Sequence, residues 1–261
     1  MKPSPTDTDP LPHRYRNLVP LAGLTVGQVH TICALTRHRM PPTPARPSGL
    51  PLPVRVLLVL IHLRTNLTTR GLAAPFATSQ SAVDPIIHRL VAALAHTLRP
   101  DPSAHGGTWI IDGTLIPVHD QSITAISTNY RRSVNTQITC ARRRRVVVAG
   151  QCWPGNRNDV IVARHTVAHL FEGRVVLGDG GYRGITSITT PRRDNTGRII
   201  RDHHYRAHRQ IRARVEHVIA RLKDWQILRQ CRRRGDAINH SLHIITGLGN
   251  LKTRNQLRVT S

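Results

Sequence analysis

The sequence predicts an α/β protein, in which a small all-α domain precedes a mixed sheet with helices on its faces. Three observations carry that expectation. Apolar residues recur at helical spacing in the N-terminal part, from Leu52 to Leu63 and again from Val83 to Leu94. Short β-branched runs begin after Gly107, at Trp109-Ile-Ile, Val134 to Cys140, Val146 to Cys152 and Val175 to Leu177. Between the two regimes lies Arg99-Pro-Asp-Pro-Ser-Ala-His-Gly-Gly107, a stretch that breaks regular structure and marks a boundary. The expected division is a disordered tail at 1–13, a helical domain at 14–105 and a sheet domain at 106–261.

The elements follow in order. Thr25 is placed to cap a helix from about Val26 to His38. A Pro-rich connector, Met40 to Pro53, cannot be helical throughout. Leu67 to Leu98 resembles a helix-turn-helix: a short helix holding Gly71-Leu-Ala-Ala, a turn at Ala77-Thr-Ser, and a second helix capped by Ser79 or Ser81. That second helix would turn Val83, Ile86, Ile87, Leu90, Val91 and Leu94 inward. Pro75 and Pro85 fall inside the two helices so defined. Beyond the boundary, Thr108 to Asp112 reads as a strand ending in an acid. The strands Val134 to Cys140 and Val146 to Cys152 are joined by a short hairpin connection containing four consecutive arginines, Arg142 to Arg145. Asn158 to Phe171 has a helical pattern, and Val175 to Leu177 is a short buried strand. A long helix is expected from Tyr205 to Leu228 and a last one from Ala237 to Asn255. Strand, hairpin, helix, strand, then helices is the order of a ribonuclease H-like sheet.

Composition narrows the partners. The chain of 261 residues carries 38 Lys and Arg against 14 Asp and Glu, a formal charge of +24. Such an excess repels itself on compaction, and a polyanion relieves the repulsion. Arg supplies most of it, and its planar fork suits phosphate. Nucleic acid is therefore the leading partner. No apolar run approaches the roughly 20 residues that span a bilayer, and no signal-peptide core is visible near Met1. A cytoplasmic, nucleoid-associated protein is expected. The four cysteines (Cys33, Cys140, Cys152, Cys231) form no C-x-x-C pair, which argues against a zinc finger or a disulfide scaffold.

Against this basic background the acids stand out. Asp179 follows Val175-Val-Leu-Gly immediately and precedes two glycines that let the chain turn. Open α/β sheets place their chemistry at the carboxyl ends of strands. Asp112, after Trp109-Ile-Ile, is expected in the same kind of place. Glu216 is one of only two glutamates. It shares a helix stripe with Arg212 and Lys223, at i, i+4 and i+11. A salt-bridge face would explain that stripe and an Asp-Gly turn would explain Asp179. Three carboxylates converging from two strands and a helix would instead bind hard cations such as Mg²⁺ or Mn²⁺, and two ions would assist an in-line phosphoryl displacement.

The chain also resembles bacterial insertion-sequence transposases of the DDE type, in the branch related to Harbinger transposases. The resemblance spans about Leu18 to Leu251. It rests on Ile111-Asp-Gly-Thr114, Pro154-Gly-Asn-Arg-Asn-Asp159, Gly178-Asp-Gly-Gly-Tyr-Arg-Gly184 and Arg212-x3-Glu216-x6-Lys223, in that order. It implies that Asp112, Asp179 and Glu216 are the catalytic and metal-binding triad. It implies that Arg212 and Lys223 contact DNA near the reacting phosphate, and it adds support for the ribonuclease H-like fold. The implied partner is double-stranded DNA, both element ends and target, with the protein acting as a homo-oligomer on it. The chain departs from the family at Asn158, where His is frequent, and at Arg209, where Tyr is expected. Asp159 then reads as a supporting or helix-capping acid. Arg142, Arg143, Arg144 and Arg145 suit phosphate contacts, which position DNA without reading its sequence. Two alternatives keep the fold and change the activity: a domesticated protein that holds DNA without cutting, or a general metal-dependent nuclease. Trp153 and Trp225 offer stacking surfaces or packing. His165, His169 and Glu172 share a helix face that most simply meets solvent.

Overall fold

The computed structural model describes residues 10–40, 49–104, 106–127, 131–141 and 143–259, with side chains as far as Thr253. The chain divides into two compact units, Met1–Leu98 with Trp225–Ile227, and Arg99–Asp224 with Leu228–Ser261.

The first unit is helical. Residues 1–9 of the expected tail lie outside the described residues, but disorder does not extend through His13. Leu11 is fully buried, and a 3₁₀ helix runs over His13–Ala22. Helix α1 (Val26–Arg37) starts where Thr25 predicts. The Thr25 hydroxyl accepts from the Gln28 amide while the Gln28 side chain accepts from the Thr25 amide, a reciprocal capping box. Helix α2 (Leu52–Thr65) is buried almost throughout and stops at Asn66, which adopts a left-handed conformation. The Pro-rich connector falls mostly at 41–48, outside the described residues.

Helices α3 (Thr69–Ala73) and α4 (Gln80–Leu98) form the expected pair. Thr68 caps the first, and the Ser79 hydroxyl caps the second by accepting from Ala82 N at 3.2 Å. The six α4 residues expected to face inward are all buried. Pro75 is not inside a helix after all, because α3 ends at its C-cap Ala74. Pro85 is inside α4. It cannot donate to the Ser81 carbonyl, but Ser81 is exposed, so water can serve that group.

The second unit is built on a mixed sheet. Its strands are β1 (Trp109–Pro117), β2 (Ala125–Ile126), β3 (Arg132–Ala141), β4 (Val146–Ala149), β5 (Trp153–Pro154), β6 (Val176–Leu177) and β7 (Ile188–Thr189). The order is β2-β3-β1-β6-β7, with β4 and β5 both pairing β3. β1 runs antiparallel to β3 but parallel to β6, and β6 parallel to β7. The connection from β4 to β6 carries α5 (Asp159–Thr166), which packs on one face through Ala163 and Val167 against Trp109, Ile111 and Val147. Helix α6 (His203–Leu222) packs against β1 and β3, and α7 (Ala237–Val259) packs against β4.

Several sequence expectations need correction. The buried strand expected over Val175 to Leu177 lacks Val175, which is exposed ahead of β6, and the helical pattern from Asn158 to Phe171 divides into α5 and a 3₁₀ turn, Ala168–Leu170. Asp112 does not end its strand: β1 continues to Pro117 because β3 offers partners as far as Ser133. The expected strand over 146–152 breaks at Gly150, whose amide turns to the Gln137 carbonyl, and resumes as β5. The long helix stops at Leu222, so Lys223 is its C-cap and Gln226–Leu228 forms a separate 3₁₀ turn. The four cysteines are free thiols, with Cys33, Cys140 and Cys231 buried.

Gly178 shows how tightly the strand before Asp179 is held. A Cβ there would stand 2.8 Å from both Ile188 Cγ2 and the Tyr182 ring. Gly178→Ala should therefore lower stability by about 1–3 kcal/mol in urea unfolding, the usual effect of an overpacked core.

Candidate active site

The short parallel pairing of β1 with β6 creates the site. Trp109 pairs Val176 and Ile110 pairs Leu177, and there β6 ends. Two residues further along each chain stand Asp112 and Asp179. Continuing the same register sets them level with each other, at the carboxyl end of β6 and beside the open flank of β1. The two side chains meet one cation. Arg212 Nη2 lies 3.5 Å from Asp112 Oδ1 and 3.9 Å from Asp179 Oδ2. Arg212 arrives from α6, which packs on the Asp112 face of the sheet.

Local hydrogen bonds fix the two acids. Asp179 caps the short turn Gly180–Tyr182, its Oδ1 accepting from Gly181 N at 2.7 Å. Asp112 Oδ1 accepts from Gly113 N at 3.1 Å. Burial pushes the Asp112 carboxyl up to about 6 against the pull of Arg212, with Asp179 adding like-charge repulsion. One guanidinium therefore leaves the pair with uncompensated negative charge. The Arg212 Nε is itself buried without a hydrogen-bond partner among the described residues.

Asp159 sits on the other face of β1. Strand geometry alternates faces, so Gly113 points away from Asp112 and toward α5. There Asp159 Oδ1 occupies the space a Cβ on Gly113 would need, at 2.1 Å. It accepts from Asn135 Nδ2 at 2.9 Å and from Gln137 Nε2 at 3.1 Å. Gln137 lies directly across from Gly113 on β3, and its Oε1 accepts from the buried Tyr182 hydroxyl. Asp159, Gln137 and Tyr182 thus tie the backbone of β1 to the turn that carries Asp179.

The sequence-predicted residues are not all gathered. Asp112, Asp179 and Arg212 meet. Glu216 is on α6, one turn beyond Arg212, exposed, with no ion pair or hydrogen bond joining it to either aspartate. Lys223 is half-buried at the helix end, where burial lowers its ammonium below the ordinary value. Arg143, Arg144 and Arg145 lie on the hairpin between β3 and β4, while Arg142 lies outside the described residues. Trp153 stacks on His165 at 4.9 Å, and Trp225 lies under Arg64.

Sequence reasoning missed the residues that hold the acids in place. Asn135 and Gln137 are polar, buried and two apart in a strand. A repeated amide at period two in an apolar run was the available signal. His208, expected with His203 and His204 to open the long helix and face solvent or DNA, is half-buried one turn before Arg212, its Nε2 facing the Thr189 carbonyl at 3.4 Å and its imidazole held below its ordinary value by burial.

Comparison with known proteins identifies the family. Residues 106–251 match the family described as "Transposase DDE domain". This chain is a DDE transposase. Residues 48–100 match "Helix-turn-helix of DDE superfamily endonuclease", so α2 to α4 form the transposase's helix-turn-helix region. A curated relative, "Putative transposase for insertion sequence element IS112" from Streptomyces albus G, is 40% identical over 243 residues, 90% of this chain and 94% of the relative. Transposases of this superfamily use divalent metals. The donor chemistry here fits such an ion: carboxylate oxygens with unbalanced negative charge. Among the described residues, however, no three His, Cys, Asp or Glu side chains are grouped as a metal cage.

The raised Asp112 carboxyl has a thermodynamic consequence. Between pH 3.8 and about 6 the folded chain holds a proton that the unfolded chain has released. Stability from this group is full below that window and lost as pH rises through it, by about 3 kcal/mol at the outside. Asp112→Asn should therefore raise the melting temperature at pH 7.5 in chelator, with the gain shrinking toward pH 4.

Proposed function

We propose that this transposase cuts phosphodiester bonds at the ends of an insertion sequence and joins the freed 3′ hydroxyl to target DNA. The observation that carries the reading is the pairing of Asp112 with Asp179 across the end of β6, only partly countered by a single arginine. In this reading Asp112, Asp179 and Glu216 are the catalytic carboxylates and would hold two divalent ions, Mg²⁺ or Mn²⁺. Ions so held supply Lewis-acid stabilisation of the attacking and leaving oxygens.

The protein's own groups do the positioning. Arg212 counters the two aspartates in the free protein and would turn to a DNA phosphate in the complex, freeing their oxygens for metal. Helical spacing supports a role for Glu216 in that rearrangement, since residues four apart share a face. Lys223, beyond it on the same flank, would hold the adjoining phosphate. Asp159 acts as a supporting acid that fixes the β1 backbone through Gly113. The hairpin arginines, Arg142 to Arg145, would grip DNA away from the cut. The helix-turn-helix would dock the duplex, with the exposed residues Gln80, Ser81 and His88 of α4 turned to the major groove.

The motif order further supports membership of the branch related to Harbinger transposases. We place the protein in the cytoplasm, associated with the nucleoid and acting as a homo-oligomer on DNA. Among the described residues no single helix is long and apolar enough to cross a membrane.

The exposed Glu216 favours one rival: a transposase-derived protein that binds DNA without cutting it. Metal-dependent nicking of a plasmid carrying the element's ends separates the two. Asp112→Ala, Asp179→Ala and Glu216→Ala should each abolish nicking while DNA binding is largely kept. A variant that still nicks at the wild-type rate removes that residue from the proposed triad.

A further inference from the structure

Away from the acids, the β3–β4 hairpin and α6 border a second site. An open cavity of about 830 Å³ is lined by Gly106, Gly107, Thr108, Arg143, Arg145 and Arg214, with Ala104 and Ala141. Three arginines from two separate elements face it, and among the described residues that line it there is no carboxylate. We propose that this cleft binds a phosphate of duplex DNA flanking the reacting one, with Arg214 as its anchor. The inference deepens the DNA-cutting reading and rests on it for the identity of the polyanion.

Several independent features support it. The hairpin is closed by Ala141 N to the Arg145 carbonyl at 2.8 Å and Arg144 N to the Ala141 carbonyl at 2.9 Å. Arg144 takes φ +60° in this turn, a conformation that normally falls to Gly or Asn. The hairpin therefore carries arginine where its backbone favours glycine. Two glycines, Gly106 and Gly107, also line the cavity. A Cβ at Gly106 or Gly107 would meet nothing within 4 Å, so a ligand backbone can approach closely there. Arg214 is half-buried, and it lies near enough to Cys140 to be the first charge opposing that thiol's upward shift. It is thus held at the end of β3 beside the hairpin.

The cleft and the acids lie on opposite flanks of α6. At about 100° per residue, Arg212 and Arg214 point roughly 160° apart around the helix axis. A phosphate in the cleft is consequently not the one that reacts. A helix with its side chains is about 10–12 Å across, and phosphates advance about 3.4 Å per step along a duplex strand. One duplex lying across α6 would place the two phosphates roughly three or four nucleotide steps apart.

The test uses full-length protein, a duplex of mixed sequence and no added divalent cation. Binding is followed by fluorescence anisotropy across a salt series. R143Q and R214Q should each reduce the log–log salt slope, and the triple variant R143Q/R145Q/R214Q should reduce it by about 0.9, the share of one phosphate. Ethylation interference should then reveal at least one phosphate that matters to wild type and no longer matters to R214Q. The exposed R143Q serves where R214Q melts early. An unchanged slope in folded variants overturns the proposal, as does an interference pattern in R214Q identical to wild type. Neither readout involves cleavage, so failure of the cutting assay leaves this result standing.

Discussion

Two like charges held side by side are the constraint on which the second unit depends. The pairing of Trp109 and Ile110 with Val176 and Leu177 is only two residues long, yet it sets the height of Asp112 against Asp179. A parallel pair was required, because it puts both carboxyl-going chains at the same edge. Repulsion between the aspartates opposes this arrangement, and Arg212 relieves part of it from α6. Burial pushes the Asp112 carboxyl up further than this repulsion does, and the Asp179 charge adds to it. The fold thus holds an unfavourable charge state that a phosphate-bound cation would relieve. Such local conflict is characteristic of places where a protein binds something it does not itself contain.

The supporting layer lies on the far side of the same strand. Gly113 admits the Asp159 carboxylate close to the β1 backbone, and Gln137 passes the connection to Tyr182. Through this chain α5, β3, β1 and the Asp179 turn are fixed together by hydrogen bonds inside an apolar layer. Interior polar networks of this kind hold geometry well because leaving any member unpaired is costly. It explains how the turn bearing Asp179 can be short and glycine-rich while its carboxylate keeps one orientation.

Much of this was legible before any coordinates. Thr25 with Gln28 three residues on, and Ser79 ahead of a run of apolar residues at helical spacing, are local signals with local causes, and both caps form. Asp179 was visible because glycine and strand residues frame it. The length of β1 was hidden, since its apolar run stops at Ile111 and a glycine follows Asp112, and only the partners on β3 carry the strand on to Pro117. The end of α6 was hidden for a similar reason: Trp225 and Ile227 pack as part of the first unit, and sequence periodicity does not reveal such a departure. Family resemblance named Glu216, whereas the aspartates could be placed by strand geometry. The amide pair Asn135 and Gln137 could have been read from period two alone.

The thiols carry a practical implication. Cys33 and Cys140 are buried and pushed up to about 12, and half-buried Cys152 reaches the same value. Cys231 is buried and shifted in the same direction. With the thiolate as the reactive species, on the order of one molecule in 10⁵ is ionised at each of the first three at neutral pH. Alkylating dyes should therefore pass over the native sulfurs. A new cysteine introduced on the surface would be labelled alone, so the wild-type background can serve directly for fluorescence studies of the protein on DNA.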